Sequence, residues 1–516
     1  MSRLEIASPK RAKIVMEGLY KDLERRIESS PPGLCPVDMA RAFLELCHAQ
    51  TCGKCVPCRI GLGQLNNFIR EVLDGKATMK TLDIMEQTAL SIMESADCAI
   101  GYEAANMVYK GLIGYRDDYI EHIQNGRCTC TYNQPVPCVS LCPAHVDIPG
   151  YIALVGEGRY ADAIRLLRKD NPFPTTCGFI CEHPCEARCR RNMVDDSINI
   201  RGLKRVAADF AGEVDPPQCA PSTGKKIAIL GGGPGGLSAA YYLQLMGHQT
   251  TVYEMLPELG GMLRYGIPNY RLPKERLDDD IRAILKTGVQ VKNGLKIGQD
   301  ITIQELRQQY DVVLITIGAS TDKKLGLENE DADGIISAVQ FLRNVGKNQI
   351  IDLTGKEVVV IGGGNVSMDA VRTAKRLGAK KVSIVYRRRV ADMTALPGEI
   401  EGAVAEGIEL QTLKAPASID VDENHHVKGI YVTPQMVSSI RDGRASIKPT
   451  GEEDIYIPCD VLIVAIGQNI ETHHFEQAGI PVERGKIITK STGAFENLPG
   501  VFAGGDCASG PASVIK

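Results

Sequence analysis

Several features of membrane-spanning and nucleic-acid-binding proteins are missing from this sequence of 516 residues. It has no tryptophan, aromatic residues make up 5%, and its longest apolar runs, such as VVVIG and VLIVAIG, are far shorter than the roughly 20 residues that cross a bilayer. The 59 basic residues are balanced by 63 acidic ones, which excludes a general nucleic-acid binder. The start, MSRLEIASPKRAK, lacks the apolar core of a secretory signal. With 44% hydrophobic and 24% charged residues, we expect a globular cytoplasmic protein.

Cysteine is scarce in the carboxy-terminal part of the chain and concentrated before it. Of 17 cysteines, 12 lie from Cys52 to Cys189, and only three follow. An odd number in a chain without a secretion signal argues against a disulfide framework, because the cytosol keeps thiols reduced. Metal or cluster ligation is therefore the leading explanation of the group. The other five form no pattern and are interpreted as buried thiols: Cys35, Cys47, Cys219, Cys459 and Cys507.

The chain changes in character after about residue 215. The residues 215 to 217, DPP, are interpreted as a linker, because consecutive prolines stop regular structure. From Lys225 onward, short apolar strands alternate with glycine turns and helical patterns, which predicts an α/β fold of doubly wound parallel sheets. Near the start, an apolar residue recurs every four positions, which predicts a packing helix, at Val15, Leu19, Leu23 and Ile27.

Two segments begin in the same way, KIAILGGGPGG at 226–236 and EVVVIGGGNVS at 357–367. Each predicts a buried strand, a glycine turn and the start of a helix, which is the pattern of a dinucleotide-binding unit. One such motif would be weak evidence. Two of them, each following a buried-strand pattern, predict a repeated nucleotide-binding architecture.

In the first unit, Gly231, Gly233 and Gly236 occupy the three glycine positions, which serve the tight turn, the approach of a pyrophosphate and helix packing. Pro234 suits a first helical turn, where its missing N–H costs nothing. The next strand ends in Glu254, whose carboxylate can accept hydrogen bonds from both hydroxyls of an adenosine ribose. The alternative is a surface acid at a strand end.

The second unit keeps Gly362 and Gly364, has Ser367 at the last position, and continues through VSIVY into Arg387, Arg388 and Arg389. An acid at that strand end would repel a 2′-phosphate, whereas guanidinium groups bind phosphate with paired hydrogen bonds. The pattern therefore favours NADP(H) over NAD(H). The alternative is a solvated basic turn.

The cysteines form two patterned groups. In the first, Cys52, Cys55 and Cys58 lie three residues apart, and Cys98 follows after a helical interval. Three close thiolates can wrap one [4Fe-4S] cluster, and a remote fourth closes it. The second group has eight cysteines, enough for two further clusters, although a zinc site remains the alternative: Cys128, Cys130, Cys138, Cys142, Cys177, Cys181, Cys185 and Cys189.

The segment GVFAGGDCASGPASV at 500–514, taken with the two glycine turns, resembles the two-dinucleotide-binding-domain flavoproteins. In that family an NAD(P)H domain is inserted into an FAD domain, and the resemblance implies that Asp506 binds the ribityl and phosphate portion of FAD. The inserted domain has no CxxC, so a dithiol like that of thioredoxin reductase is not expected. The sequence stops at Lys516, inside what should be the next helix, and we expect the FAD domain to be short at that end.

The segments PCVSLCPAHVDIPGYI, NPFPTTCGFICEHPCEARCRR, INIRGLKRVAADF and GMLRYGIPNYRLPK resemble the glutamate synthase small-subunit family over about residues 128–516. The same module occurs in dihydropyrimidine dehydrogenase and in NADPH-binding subunits of electron-bifurcating transhydrogenases. The resemblance implies that one cluster is held by Cys128, Cys130, Cys138 and Cys189.

The second cluster implied by this resemblance uses Cys142, Cys181 and Cys185 together with a side-chain oxygen from the following helix. This sequence departs from the family there, because Lys204 stands at the oxygen position and an ammonium has no lone pair to offer. Cys177 is the natural substitute. The single residue between Cys128 and Cys130 is a second departure, since the family usually has two.

The first cysteine group, in TCGKCVPCRIG and SADCAIG, resembles the cluster domain of the NADH-binding flavoprotein subunit of respiratory complex I, over about residues 35–115. The combined resemblances imply helical cluster domains at 1–118 and 119–217, an FAD domain at 218–337 and 465–516, and an NADP(H) domain at 338–464. They also imply further cofactor contacts, at Gly235, Gly261, Met262, Leu263, Ile267, Asn365, Val366, Gly467 and Gly505.

These resemblances imply a function in electron transfer, with FAD, NADP(H) and three [4Fe-4S] clusters and with no catalytic acid or base. We expect the NADP(H)-handling subunit of a ferredoxin-dependent, electron-bifurcating NADH/NADP transhydrogenase complex. Its partners would be an NADH-oxidising flavoprotein and a ferredoxin-type iron–sulfur subunit, with no nucleic acid and no membrane insertion. The alternatives are the small subunit of an NADPH-dependent glutamate synthase and a non-catalytic iron–sulfur adaptor.

Overall fold

The structure is a computed structural model that describes residues 17–18, 35–125, 136–349, 351–441 and 444–516. The chain forms two compact units, Met1–Ile148 with His183–Ile200 and Pro149–Glu182 with Arg201–Lys516. Most of the predicted helix around Val15 to Ile27, and both Cys128 and Cys130, lie outside the described residues.

Helices dominate the described residues up to 210. A π-helical turn, Pro57–Gly61, and a 3₁₀ turn, Arg190–Met193, accompany them. The α-helices are α1 (Pro36–Ala49), α2 (Leu62–Leu73), α3 (Met79–Ser95), α4 (Ala99–Gly114), α5 (Arg116–Asn125), α6 (Pro137–Leu141), α7 (Ile148–Gly156), α8 (Tyr160–Asp170), α9 (Pro174–Ile180), α10 (Pro184–Ala187) and α11 (Ile200–Phe210).

The helices of the first unit form because their apolar residues recur every three or four positions and face one core. On α3 the core positions are Leu82, Met85, Ala89 and Ile92, all of which are buried. A capping box closes the start of α3, where Thr78 and Thr81 satisfy each other's backbone amides. The predicted helical interval between the first three cysteines and Cys98 is confirmed, since it contains α2 and α3.

From residue 226 the second unit alternates strands and helices. The elements up to residue 337 are β1 (Lys226–Leu230), α12 (Pro234–Leu245), β2 (Gln249–Glu254), α13 (Met262–Tyr265), α14 (Lys274–Leu285), β3 (Gln290–Asn293), α15 (Ile303–Gln309), β4 (Val312–Ile315), β5 (Thr321–Asp322) and β6 (Ile335–Ser337).

The remaining elements continue the alternation and add an antiparallel layer. They are α16 (Ala338–Gly346), β7 (Glu357–Ile361), α17 (Asn365–Arg376), β8 (Lys381–Tyr386), a 3₁₀ turn (Val390–Asp392), α18 (Pro397–Ala405), β9 (Glu409–Thr412), β10 (Lys414–Val421), β11 (Val427–Arg441), β12 (Arg444–Pro449), β13 (Ile455–Pro458), β14 (Val461–Val464), β15 (Gln468–Asn469), α19 (His473–Gln477), β16 (Val482–Glu483), β17 (Lys486–Ile487), β18 (Val501–Ala503) and α20 (Asp506–Ser509).

Two parallel five-stranded sheets organise this unit, and they confirm the predicted doubly wound α/β fold. The first has the order β18-β4-β1-β2-β3 and the second the order β6-β14-β7-β8-β9. In each sheet the strand order reverses beside the strand that carries the glycine motif, β1 in the first and β7 in the second. Ligands of open α/β sheets bind at the carboxyl ends of strands at such a reversal.

The second sheet is an insertion into the portion of the chain that builds the first. The chain leaves through β5 and returns through β15, and these two strands pair with each other. Strand β6 pairs with β14 in the second sheet, although it precedes the boundary at residue 338 that the sequence suggested. An antiparallel layer of β10, β11, β12 and β13 also belongs to the inserted portion. In the described ranges of the chain, no helix has both the length and the apolar character needed to cross a bilayer.

Candidate functional site

The first glycine turn connects β1 to α12 and requires glycine for physical reasons. Gly231 has φ of +113°, and a Cβ on it would collide with the carbonyl oxygen of Thr316. A Cβ on Gly236 would collide with the carbonyl oxygen of Gly231. The helix begins immediately after the turn, at Pro234. The free amides and the dipole of its first turn favour a phosphate at this position.

Glu254, the last residue of β2, faces this turn. Its Oε2 accepts a hydrogen bond of 2.7 Å from the Gly232 amide, and its Oε1 accepts one of 2.8 Å from the Leu256 amide. Burial raises the pKa of the carboxyl, while the backbone hydrogen bonds oppose that rise. Each oxygen keeps a second lone pair, so the carboxylate is fixed in place and can still accept hydrogen bonds from ribose hydroxyls.

Two further predicted segments lie against the same turn. A Cβ on Gly261 would lie 2.8 Å from the Cα of Gly233, and the atom nearest to a Cβ on Gly235 would be the Cα of Gly505, at 4.0 Å. Asp506 opens α20 directly after Gly505, and burial raises the pKa of its carboxyl. The predicted FAD-site residues from 231 to 236, 254, 261 and 505 to 506 therefore converge on one place. A turn in which Gly231, Gly236 and Gly261 have no room for a side chain, a helix N-terminus and a fixed acid together fit a dinucleotide.

Other predicted residues of the FAD site lie in the short segment that follows Gly261. Met262 and Leu263 are in α13, and Leu263 is buried. The carbonyl oxygens of Leu263 and Ile267 both accept hydrogen bonds from the Lys274 ammonium. The segment is thereby held in a fixed shape beside the first glycine turn.

The second glycine turn, between β7 and α17, has the same geometry with one substitution. Gly362 has φ of +145°, and a Cβ there would collide with the carbonyl oxygen of Ala465. The fully buried Ser367 stands where the first turn has its last glycine. Gly364 precedes the first residue of α17, and a Cβ on Gly363 would lie 2.6 Å from the ring of Tyr386. This turn also fits a pyrophosphate at a helix N-terminus.

The side chain of Asn365 is used in a way that sequence analysis did not foresee. Its Oδ1 accepts a hydrogen bond of 3.0 Å from the Leu396 amide, and its Nδ2 donates one of 3.0 Å to Oε1 of Glu182. A cofactor contact at Asn365 would therefore use its backbone amide, as at the neighbouring Val366. Gly467, also predicted, lies beside Lys323 where the chain leaves the inserted portion.

The basic turn after β8 does not present its three arginines equally. Arg387 is exposed, and Nε of Arg388 donates a hydrogen bond of 2.9 Å to the carbonyl of Ala445. Arg389 is bound to Asp392. Its hydrogen bonds hold the pKa of Asp392 near 2, below the ordinary 3.8. Arg389 thus uses two of its guanidinium nitrogens to hold Asp392, whereas no ion pair holds Arg387 or Arg388 among the described residues, which makes these two the better candidates to bind a 2′-phosphate.

The first cysteine group converges in the first unit. Cys58, on the π-helical turn, is 2% exposed, and burial raises its pKa to about 12, with further contributions from neighbouring Cys55, Cys98 and Cys52. Burial also raises the pKa of Cys55, but hydrogen bonds from backbone amides outweigh burial and lower the value overall. A Cβ on Gly101 would lie 2.6 Å from Sγ of Cys58. Four close thiols beside a glycine that leaves room fit a cluster.

Most described members of the second cysteine group are buried, and they are divided between the two units. In the first unit, burial is the main cause that raises the pKa of Cys138. The charge of Cys189 contributes next, and that of Cys142 contributes more weakly, so Cys138 and Cys189 are near neighbours. Cys185 belongs to the same unit and is buried. Cys181 belongs to the second unit, together with Cys177.

Cys177 is buried near Lys204, the lysine that stands where the family has its oxygen ligand. The thiol is 1% exposed, lies 3.9 Å from Oδ1 of Asn171, and has its pKa raised by burial to about 12. Lys204 is 6% exposed, and its charge opposes the rise. Among the residues that the structure describes, no group of three or more His, Cys, Asp or Glu is arranged for a single metal ion.

Two contacts at these sites were not predicted from the sequence. Gly101 lies three residues after Cys98 in the segment SADCAIG, and its spacing from Cys98 is the only sequence signal for its contact with Cys58. Arg271 forms an ion pair with Asp369 of α17. The only sequence signal for it was a charged residue inside the segment GMLRYGIPNYRLPK.

Comparison with known proteins matches three consecutive portions of the chain. Residues 225–516 match pyridine nucleotide-disulphide oxidoreductases, residues 38–122 match the NADH-ubiquinone oxidoreductase-F iron-sulfur binding region, and residues 114–215 match dihydropyrimidine dehydrogenase domain II, 4Fe-4S cluster. The resemblances drawn from the sequence are thereby confirmed. The chain carries a dinucleotide-binding oxidoreductase portion and two [4Fe-4S] portions.

Three curated relatives extend the likeness. NADPH-Fe(3+) oxidoreductase subunit beta of Geobacter sulfurreducens is 34% identical over 520 residues, which cover 94% of this chain and 76% of that protein. NADP(+)-dependent formate dehydrogenase subunit beta of Moorella thermoacetica is 32% identical, covering 92% and 77%. The glutamate synthase [NADPH] small chain of Escherichia coli is 34% identical, covering 73% and 84%. By the extent of these matches and by its two glycine turns, the chain belongs to the pyridine nucleotide-disulphide oxidoreductase family.

Proposed function

We propose that this chain is the NADP(H)-handling electron-transfer subunit of a multi-subunit redox complex, with FAD and three [4Fe-4S] clusters. The observation that carries the proposal is that one chain combines two glycine turns of different chemistry with a separate amino-terminal group of four thiols. The first turn is followed by an acid, Glu254, and the second by the guanidinium groups of Arg387 and Arg388, which form no ion pair among the described residues. The two turns are therefore suited to different dinucleotides.

The residues of the chain have defined tasks in this proposal. The amides of the first turn would hold the pyrophosphate of FAD, and Glu254 would hold its ribose. Arg387 and Arg388 would bind the 2′-phosphate of NADP(H). FAD, when bound, supplies the exchange between two-electron and one-electron chemistry. The thiols of Cys52, Cys55, Cys58 and Cys98 and of the eight-cysteine group would hold the clusters, which accept single electrons.

For the complex itself, we propose a ferredoxin-dependent, electron-bifurcating NADH/NADP transhydrogenase. The match at residues 38–122 to an iron–sulfur region of an NADH-oxidising enzyme supports a partner that oxidises NADH. The partners would then be an NADH-oxidising flavoprotein and a ferredoxin-type iron–sulfur subunit. A glutamate synthase small subunit is an alternative that fits the findings similarly, although the relative of that name covers 73% of this chain, whereas the two beta subunits cover 94% and 92%.

The extent of the match to one of these beta subunits favours a second candidate function. A relative that covers 92% of the chain is named as the beta subunit of an NADP(+)-dependent formate dehydrogenase. In this second candidate, the chain would pass electrons from a formate-oxidising partner to NADP⁺ bound in the inserted domain, and it would use the same cofactors.

The test is to purify the native complex without oxygen, to identify its subunits and to measure NADP⁺ reduction with different donors. The transhydrogenase proposal expects reduction with NADH and reduced ferredoxin together, and none with NADH alone or with formate. Reduction by formate alone would replace it with the second candidate. If NADPH fails to reduce the bound flavin of the complex, the NADP(H)-handling role itself is wrong.

A further inference from the structure

A short segment of the first dinucleotide-binding portion reaches across to the inserted one. This bridging segment, residues 261–274, starts at the first glycine turn, where a Cβ on Gly261 would lie 2.8 Å from the Cα of Gly233. Further along, Arg271 donates from one terminal nitrogen to both carboxylate oxygens of Asp369, at 2.8 and 2.7 Å. Asp369 lies on α17, the helix that follows the second glycine turn. One segment therefore contacts the surroundings of both turns.

The ion pair is buried and has a second acid beside it. The side chains of Arg271 and Asp369 are 13% and 6% exposed, and Nε of Arg271 lies 3.4 Å from Oε1 of Glu399. Buried charges are held only where geometry and hydrogen bonds compensate for lost water. A planar guanidinium that meets two acids fixes both direction and distance, which a flexible ammonium does not do as well.

Neighbouring contacts hold the same side of α17. The Cζ atoms of Arg376 and Arg372 lie 3.9 and 5.2 Å from the ring centroid of Tyr270, the residue before Arg271. Arg372 is itself paired with Glu399. The bridging segment therefore docks on α17 through both an aromatic ring and an ion pair.

Hydrogen bonds between residues of the bridging segment also hold its shape. The Lys274 ammonium donates to the carbonyl of Ile267 at 2.6 Å and to that of Leu263 at 3.3 Å, and the Lys274 amide donates to Oδ1 of Asn269 at 3.0 Å. A Cβ on Gly346, at the end of α16, would lie 3.1 Å from the Cα of Tyr265. The segment is therefore a rigid connector between the two dinucleotide-binding portions.

Asp369 lies four residues after Asn365, the first residue of α17, which is about one helical turn. Fixing Asp369 therefore fixes the helix N-terminus, where a pyrophosphate would bind. Hydride transfer needs reacting atoms about 3 to 3.5 Å apart, and a displacement of about 1 Å can cost a hundredfold in rate. A small rotation between the two portions would be enough to lose that approach.

We propose that Arg271 and Asp369 are positioning residues, which set the relative orientation of the two dinucleotide-binding portions and thereby the approach of the nicotinamide to the flavin. Neither residue is assigned a contact with a cofactor. The inference rests on the proposed occupancy of the two turns by FAD and NADP(H).

The main test is the double variant Arg271→Met with Asp369→Asn, in the full-length chain. It removes both charges together and keeps similar volumes, so neither partner of the pair is left as an unpaired buried charge. The measurements are FAD content, NADP⁺ affinity by equilibrium binding, and the limiting rate of flavin reduction at saturating NADPH. Arg271→Lys is the conservative variant. Arg282→Met is the control. It also removes an arginine from an ion pair, but Arg282 and its partner Asp279 both lie on α14, so this pair does not connect the two dinucleotide-binding portions.

We expect FAD content and NADP⁺ affinity to stay within about twofold, while the limiting reduction rate falls roughly ten- to hundredfold. Arg271→Lys should recover part of the rate, Arg282→Met should match the wild type, and dithionite should reduce every variant equally fast. An unchanged limiting rate would overturn the positioning role. A loss of NADP⁺ affinity as large as the loss of rate would also overturn it, since the pair would then act in binding.

A second measurement does not depend on turnover. In the wild-type protein without added coenzyme, backbone amides of α17 and of residues 262–267 should be protected from hydrogen exchange, and the double variant should exchange faster in both places. Unchanged exchange would contradict the rigid connection, whatever the coenzyme. If the wild type shows protection but NADPH does not reduce its flavin, the proposed function fails while the connection stands.

Discussion

The guanidinium of Arg389 holds the carboxylate of Asp392, with Nε 2.8 Å from Oδ2 and a terminal nitrogen 3.0 Å from Oδ1. The same carboxylate accepts a hydrogen bond of 3.1 Å from the Ala445 amide. The third arginine of the basic turn is therefore part of the framework that joins the turn to the hairpin of β11 and β12. The two preceding arginines are the ones proposed to bind the 2′-phosphate of the coenzyme.

Coenzyme choice should depend on Arg387 and Arg388. A charge-assisted hydrogen bond is worth about 1.5 to 3 kcal/mol, so removing one guanidinium should slow flavin reduction by NADPH about tenfold to hundredfold. Reduction by NADH should stay nearly unchanged in Arg387→Ala and Arg388→Ala, because NADH has no 2′-phosphate. Stopped-flow bleaching of the flavin measures both rates.

Arg389→Ala is the comparison for these variants. It leaves the Asp392 charge unpaired, so it should lower stability and affect both coenzymes alike. If the wild type uses NADH as fast as NADPH, or if Arg387→Ala slows both coenzymes equally, the assignment of the second turn to NADP(H) is wrong.

The amino-terminal cluster should be sensitive to Gly101. A methyl group there would lie 2.6 Å from Sγ of Cys58, so Gly101→Ala must displace a proposed ligand. Three cubane clusters correspond to about twelve iron atoms per chain, and this variant should retain about eight. Gly63→Ala is the matched control, since the nearest atom to its Cβ would be 3.9 Å away. Equal iron content in both variants would contradict the role of Gly101.

The fourth ligand of the cluster proposed for Cys142, Cys181 and Cys185 should be Cys177. Cys177→Ala is expected to abolish or shift the electron paramagnetic resonance signal of one cluster, while Lys204→Ala leaves that signal in place. Cys459→Ala provides a comparison with another buried thiol, which lies in the inserted portion. A signal lost in Lys204→Ala and kept in Cys177→Ala would show that another group completes the cluster.

The stability of the flavoprotein portion should rise with pH because of Lys274. Burial lowers the pKa of its ammonium from 10.5 to about 8, with the charge of Arg264 acting in the same direction. Between these values the unfolded chain binds more protons than the folded chain, so this group makes folding more favourable as pH increases. Urea midpoints measured from pH 7.5 to 9.5 should therefore rise more in the wild type than in Lys274→Met. A parallel change in both proteins would contradict the lowered pKa.

The sequence was sufficient to predict the elements that depend on local pattern. Both glycine turns follow from strand periodicity and from backbone angles that only glycine adopts freely, as at Gly231 and Gly362. Glu254 was found because a strand of ordinary length places its last residue beside the turn. These features need no information from distant parts of the chain.

What could not be predicted depends on contacts between residues far apart in sequence. Asn365 stays a predicted cofactor contact, but no local signal shows that its side chain is bound to Glu182, which is 183 positions away. Arg389 differs from Arg387 only because Asp392 and Ala445 meet it in the folded chain. Strand β6 pairs with β14 across more than a hundred residues, and no local signal marks that pairing.

The pairing of β5 with β15 has a consequence for exchanging the inserted portion between related proteins. Because the two ends of the inserted portion already lie side by side, joining them directly would close a very short gap, and loop-closure entropy would oppose it little. We therefore expect residues 323 to 467 to be exchangeable as one cassette, and we expect the proposed coenzyme preference to be transferred with it. The constraint on such an exchange is that the incoming cassette must supply an acid where Asp369 stands, or Arg271 is left buried without its partner.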